Sequence, residues 1–413
     1  MIRRTLLGLR LRLRVVLQVL TENWALVIGA LLILLSLPAD SLNLNWLGMA
    51  AGVASIALAV VDISQRVAVN RSIEFSERPG DDYLDVVQAL RDNERFVVRD
   101  AGIDIFVEDR ALGRRLASGS VAASLSDRRY RIPPELATYG RLFGRRWALK
   151  AWPFNGKVLG LGSDIGVAEA DTVSAVRMVA SDYLAYMSTD VFASQNTKLD
   201  GRLRAGLGRE LFVRRGGRLR DFGDSWLLNA VGISVLALTT DMRVVVVDQS
   251  KLNDAAGGLK APSGSGSLEP RDFRNAASLG LDVLAANGAL REMQEETGIR
   301  EDQHVDSVHS LGFGRLLRKG GKPEVLCVAF LKIDSHAVAR IPRPAADRKY
   351  TAAVNCYRFD GPVAAWSTSV PPDLQGMLSA QLALSLDLIS EAAADELSVL
   401  GALLRDRHAK ALS

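Results

Sequence analysis

The sequence predicts an α+β chain. A mixed β-sheet carries one acidic helix and closing helices, preceded by a mixed α/β module and an N-terminal α-helical transmembrane hairpin. Three observations carry this. Two nearly charge-free apolar runs occupy 24–39 and 46–61. Short β-branched runs separated by turn residues fill much of the last 200 or so positions. Glu292, Glu295 and Glu296 stand at i, i+3 and i+4, which puts three carboxylates on one face of a helix.

The hairpin comes first. Each apolar run has about 16 residues, roughly 24 Å as helix. That is short of the roughly 20 residues a span takes, and Val19, Leu20, Leu42 and Leu44 extend the two runs. Pro38, Asp40, Asn43 and Asn45 mark the turn between them, and Trp24 and Trp46 suit opposite interfaces. Arg3, Arg4, Arg10, Arg12 and Arg14 precede the first run, and Arg66 and Arg71 follow the second. The turn has no basic residue, so both ends are expected in the cytoplasm, with everything downstream. The presence of a second run argues against a cleaved signal peptide. Gly48 and Gly52 form a GxxxG that permits close packing, within the hairpin or between two copies of the chain. The lipid bilayer is therefore an expected partner, residues 1–72 an expected membrane anchor, and the location an expected two-pass membrane one.

Residues 73–205 are expected to form a cytoplasmic α/β module whose role no motif reveals. Residues 82–91 read as a short helix, 95–98 and 103–107 as strands, and 170–189 as a longer helix. Tyr183 and Tyr186 on that last segment read as core aromatics. The paired arginines at 114–115, 128–129 and 145–146 read as solvated.

Residues 206–413 form the third expected unit. Gly232–Leu238 and 242–247 flank the turn at Thr239, Thr240 and Asp241 and predict a hairpin. Strands are expected at 307–316, 325–333 and 351–359, and closing helices at 374–388 and 392–408. On the acidic helix, Val283, Ala286, Leu290 and Met293 predict the apolar stripe, and Gly298 the stop. Like charges at helical spacing repel by roughly 0.2–0.5 kcal/mol per pair. Their concentration suits a hard divalent cation, although Arg291 to Glu295 is also an ordinary surface pair.

The segment 291–299 reads Arg291, Glu292, an apolar residue, any residue, Glu295, Glu296, any residue, Gly298 and an apolar residue. Its chance occurrence in a chain this long is roughly one in ten thousand. It resembles the distal half of the box of the Nudix hydrolase family. That family places a Gly, five residues, a Glu and seven residues before the Arg. Here those positions hold Ala277 and Val283. A better match lies upstream, where Gly264 and Gly266 open a Gly-rich turn, Glu269 and Pro270 follow, and Asp272 stands five residues beyond Gly266. About eleven extra residues then precede the helix.

The resemblance implies a Nudix-like fold and a metal site at Glu292, Glu295 and Glu296 for Mg²⁺, with Mn²⁺ as a substitute. It implies catalytic roles for Arg291, Glu292 and Glu295, and a substrate or phosphate loop with Gly264, Gly266 and Asp272. Glu324 and Asp347 are candidates for a further acid, and Arg340 and Arg343 for substrate contacts.

The composition is that of a folded protein, with a net charge of only +4, too small to argue for nucleic acid. Cys327 and Cys356 form no metal motif and read as a reduced pair. His304 and His309 read as structural or surface residues. Three functions remain open. The first is a membrane-anchored Nudix-type hydrolase acting on a nucleoside diphosphate linked to another moiety. The second is a Nudix-like nucleotide sensor signalling to its hairpin. The third is a pore-forming effector gated by its cytoplasmic part.

Overall fold

A computed structural model describes residues 72–413, apart from 92, 103, 151–154, 166–173, 251–257 and 345–350, together with residues 50, 52–54 and 57. Apart from residues 50, 52–54, 57 and 72, the hairpin expected within 1–72, with Gly48, lies outside the described residues, as does Asp347. Among the described residues no helix is long and apolar enough to cross a membrane.

The architecture is mixed α+β with several sheets. The central one runs Lys260–Ala261, Val244–Gln249, Gly232–Leu238, Lys322–Leu331, Val305–Leu316, Ile105–Asp109, Phe96–Asp100, and two further strands, Gly264–Ser267 and Thr351–Tyr357, branch from it. Gly232–Leu238 and Lys322–Leu331 pair in parallel. Strand side chains alternate between the two faces. Ile233, Val235 and Ala237 therefore join the core beneath the acidic helix, with Leu284, Ala285 and Met293. Leu236 and Leu238 join the opposite core, with Trp366, Leu382, Leu386 and Ile389. Burial on both faces explains why Gly232–Leu238, Ser234 apart, reads as apolar throughout rather than alternating.

The closing helices are Ala380–Ala394 and Val399–Leu412. Both begin later than expected, because Ser379 and Ser398 cap them by accepting from Leu382 N and Gly401 N.

Of the long helix expected over 170–189, residues 183–189 are helical and 174–182 are not, while 170–173 lie outside the described residues. Ser174–Asp182 is a strand, parallel to Val121–Leu125 and antiparallel to Lys157–Leu161. Val176 and Met178 are buried while Arg177 between them is exposed, a period of two. Asp182 then accepts from Ala185 N to start the helical turn Tyr183–Tyr186, which runs on into a π-helical segment, Met187–Val191. The two tyrosine rings pack 5.2 Å apart in the core, as expected for helical aromatics that fill space.

Two features join the regions on either side of residue 206. Ile105–Asp109 pairs antiparallel with the end of Val305–Leu316, so the central sheet runs through both. Just ahead of the acidic helix, Ser278–Gly280 forms an edge strand antiparallel to Val121–Leu125. A third small sheet joins Ile73–Glu77, Gln195–Leu199 and Arg202–Leu203.

Candidate active site

The acidic helix is Leu281–Thr297, ended by Gly298 at φ 83°, whose N–H donates to Gln294 O. Its buried face differs from the expected stripe. Leu290 and Met293 are buried, but Ala286 is only half-buried and Val283 is 45% exposed. Leu284, Ala285, Gly288 and Ala289 turn inward instead. The reason is close approach: a Cβ at Gly288 would meet Leu268 Cδ2 at 2.4 Å. Small residues let the helix settle onto the turn that precedes it.

That turn is the Gly-rich segment. A Cβ at Gly264 would lie 2.4 Å from Met293 N, and one at Gly266 would lie 2.1 Å from Glu292 Oε1. The first contact is with backbone, so Gly264 needs glycine, while a side chain at Gly266 would have to displace the Glu292 carboxylate; both glycines lie against the acidic face. Ser265 N donates to Glu296 Oε1 at 3.1 Å, and Gln249 Nε2 to Glu296 Oε2 at 3.3 Å.

Asp272 completes the arrangement despite its distance along the chain. It is 3% exposed and accepts from Arg291 Nε at 2.7 Å and from a terminal Arg291 nitrogen at 3.0 Å. Arg291 also donates to Ser267 O at 2.8 Å and Glu292 Oε1 at 2.6 Å. Asn287 Nδ2 donates to Asp272 O at 2.8 Å, tying the turn to the helix a second time. Between Asp272 and Arg291 the chain passes through the edge strand Ser278–Gly280 and the first turns of the helix, which bring Arg291 back over the turn. Burial opposes the charge on Arg291, but Glu292 and Asp272 outweigh it and raise its pKa. Burial raises the pKa of Glu292 as well, against the pull of Arg291.

Glu269, Arg271, Asn287 and Gln249 were not among the expected site residues. Glu269 and Asp272 form a capping box on the short turn Pro270–Phe273. Arg271 Nε lies 2.7 Å from Glu269 Oε2, and a terminal nitrogen 2.8 Å from Glu295 Oε1. A cavity of about 410 Å³ opens beside these groups, lined by Arg271, Arg274, Asn287, Arg291, Gln294 and Glu295 among others. A neighbouring cavity of about 530 Å³ shares Gln294 and is lined further by Arg300, His304 and Arg340.

The other candidates fall outside the acidic face. Glu324 is buried in strand Lys322–Leu331, not on a loop or the surface, and is paired with Lys322 Nζ at 2.9 Å and Ser234 Oγ at 2.8 Å. Arg343 donates to Ala352 O and holds the start of its strand. His304 Nδ1 accepts from Arg300 N, and His309 stacks on Phe330 at 5.8 Å, both structural uses. Cys327 and Cys356 carry free thiols; burial pushes Cys327 up to about 12 and Cys356 to about 11.

The donor chemistry of Glu292, Glu295 and Glu296 fits a hard divalent cation. Their present arrangement does not gather as a cage: among the described residues no three His, Cys, Asp or Glu side chains converge in a way that could hold a metal ion. Arg291 takes Glu292, Arg271 takes Glu295, and Glu296 is turned to Ser265 and Gln249.

No protein-family model matches the chain, and no curated protein matches it. Among solved structures, it is similar to that of a Nudix hydrolase from M. smegmatis, RenU, at 16% identity and a TM-score of 0.24, over 40% of this chain and 84% of that one.

Proposed function

We propose that the chain is a membrane-anchored Nudix-type hydrolase that cleaves a phosphoanhydride bond in a nucleoside diphosphate linked to another moiety. The observation that carries this is the clamp between the two halves of the box. Asp272 meets Arg291 across 19 positions, Gly264 lies against the backbone of the acidic helix with no room for a side chain, and Gly266 lies against the Glu292 carboxylate. A chance acidic helix would not need its glycine-rich neighbour held so closely.

Glu292, Glu295 and Glu296 would hold Mg²⁺ or Mn²⁺, which when bound would neutralise the diphosphate and acidify a water. Arg291 fixes Glu292 through Nη and the Gly-rich turn through Ser267 O, so the acidic face and the turn keep one geometry. Burial raises the pKa of Glu292, against the pull of Arg291, and this favours it among the three as the carboxylate that takes the proton. Residues 1–72 would supply a two-pass anchor with both ends cytoplasmic, and Gly48 and Gly52 a contact between copies.

The test is turnover of ADP-ribose, NAD, nucleotide sugars and nucleoside triphosphates by the full chain in detergent, with and without Mg²⁺, beside Glu296→Gln. Metal-dependent turnover lost in the variant supports the enzyme. Nucleotide binding without turnover of any of them supports the second reading, a sensor. That reading is favoured by one observation, the dispersal of the three carboxylates onto protein partners. Alkaline carbonate extraction tests the anchor: release of the full chain without detergent removes it.

A further inference from the structure

Residues 1–71, expected from the sequence to hold the membrane hairpin, join the rest of the chain at Ser72. The junction is firmly held: Ile73 is 3% exposed, and its carbonyl accepts from Arg146 Nη1 at 2.8 Å. About eleven residues separate the end of the second apolar run from Ser72, and Arg66 and Arg71 lie among them. Even fully extended, that length spans no more than about 40 Å. The surface beside Ser72 would therefore lie close to any bilayer that holds the hairpin.

That surface is the tip of the small third sheet. Ile73 lies opposite Leu199, and the neighbouring strand returns at Arg202, also opposite Leu199. Only Asp200 and Gly201 make the turn, at φ 50° and 74°, the backbone of a tight two-residue hairpin whose direction is fixed. Asp200 N donates to Ser72 O at 3.0 Å. Ile73–Glu77 leads away from Ser72, and the hairpin points the opposite way, back along the incoming chain.

The side chains of the tip suit a lipid surface. Residues 200–206 are all exposed. Leu203 is 60% exposed, a large apolar side chain between Arg202 and Arg204. Neither arginine has a carboxylate partner among the described residues. From 198 to 204, Lys198, Arg202 and Arg204 stand against one acid, Asp200, with Glu74 opposite Lys198 on the next strand. Arginine stems lie along apolar surface while their heads stay in the polar layer. Basic clusters beside a membrane span are drawn to anionic headgroups.

We infer that the hairpin tip 198–204 is a docking lip for anionic lipid headgroups, which sets the orientation of the rest of the chain against its own bilayer. This rests on the reading of residues 1–72 as a membrane anchor, and is independent of the acidic helix.

The test places a nitrobenzoxadiazole label on Leu203→Cys and, separately, on Leu397→Cys, which is 94% exposed between the closing helices. Both are made in a Cys356→Ala background, since Cys327 is buried. The full chain is reconstituted into vesicles of phosphatidylcholine, with and without about one-third phosphatidylglycerol. Flotation checks retention, and a lipid with a headgroup spin label is the quencher. In the anionic vesicles the label at 203 should be quenched and the label at 397 should not. Arg202→Gln and Arg204→Gln should each lower the ratio of docked to free tip about fivefold, and vesicles without phosphatidylglycerol should lower it further. Retained protein with no quenching at 203 overturns the lip and leaves the anchor standing. Equal quenching at 203 and 397, or equal quenching at 203 in both lipid mixtures, also overturns the lip, because the contact would then be general adhesion or tethering alone. Protein that does not float with the vesicles overturns the anchor and the lip with it.

Discussion

If Asp272 is the clamp that joins the Gly-rich turn to the acidic helix, its removal should be felt mainly through Arg291. Asp272→Leu strips two hydrogen bonds from Arg291, at 2.7 and 3.0 Å, and a third from Glu269 N at 2.8 Å. The guanidinium stays nearly enclosed, with only Glu292, the more distant Glu269 and Ser267 O to compensate it. Breaking a buried pair from one side costs about 3–5 kcal/mol, whereas replacing both partners by apolar residues is often close to neutral. Arg291→Met alone should cost somewhat less, because Asp272 keeps its bond from Glu269 N. The double variant should then be more stable than the sum of the singles predicts, by about 2 kcal/mol or more, the upper part of the range for directly contacting residues. Urea unfolding of the full chain in detergent, followed by tryptophan fluorescence, measures all four corners of the cycle. Additive costs, within about 0.5 kcal/mol, would refute the clamp and make Asp272 simply a capping residue of its turn.

Four other substitutions test neighbouring features. Gly264→Ala forces a methyl against the backbone of Met293 and should cost about 1–3 kcal/mol; Gly266→Ala meets the movable Glu292 carboxylate, so it should lose less stability and more activity, read by melting and turnover together. Leu284→Ala empties a fully buried site under the helix and should cost about 2–5 kcal/mol by the same unfolding assay. For Glu292, the folded pKa lies above the unfolded one, led by burial. Its contribution is fully present below the unfolded value and is lost as pH rises through the folded value. Glu292→Gln escapes that loss, so its melting temperature relative to wild type should rise between pH 4 and pH 8; a flat or falling difference counts against a strained carboxylate.

The acidic helix was legible in the sequence because three glutamates and a terminal glycine mark its outer face and its end. Its inner face was not, because Ala285, Gly288 and Ala289 carry too little apolar signal to compete with Val283, although their smallness is what permits the close packing. The role of Asp272 was half-legible: its spacing from Gly266 pointed to it, and only the fold shows that the following residues leave as a strand and bring Arg291 back. Residues 174–182 misled because apolar residues there satisfy both a period of two and one near 3.6. Pairing with Val121–Leu125 and Lys157–Leu161 decides for the strand. Arg271 and Gln249 had no signal, since an exposed arginine in a turn and a glutamine at a strand end are common everywhere. Glu324 looked available because it stands near a glycine turn, but the strand begins two residues before it.

The pairing of Ile105–Asp109 with Val305–Leu316 bears on how the protein is handled. A fragment cut at residue 206 would lose that neighbour strand and leave the end of Val305–Leu316 with open amide and carbonyl groups. Gly314, packed against the Phe106 ring, would be exposed there with no side chain to block an approaching strand. Bare edges of this kind recruit strands from other molecules. The isolated C-terminal fragment is thus expected to precipitate or form spurious multimers during expression, whereas one that begins near residue 72 retains its own protective edge.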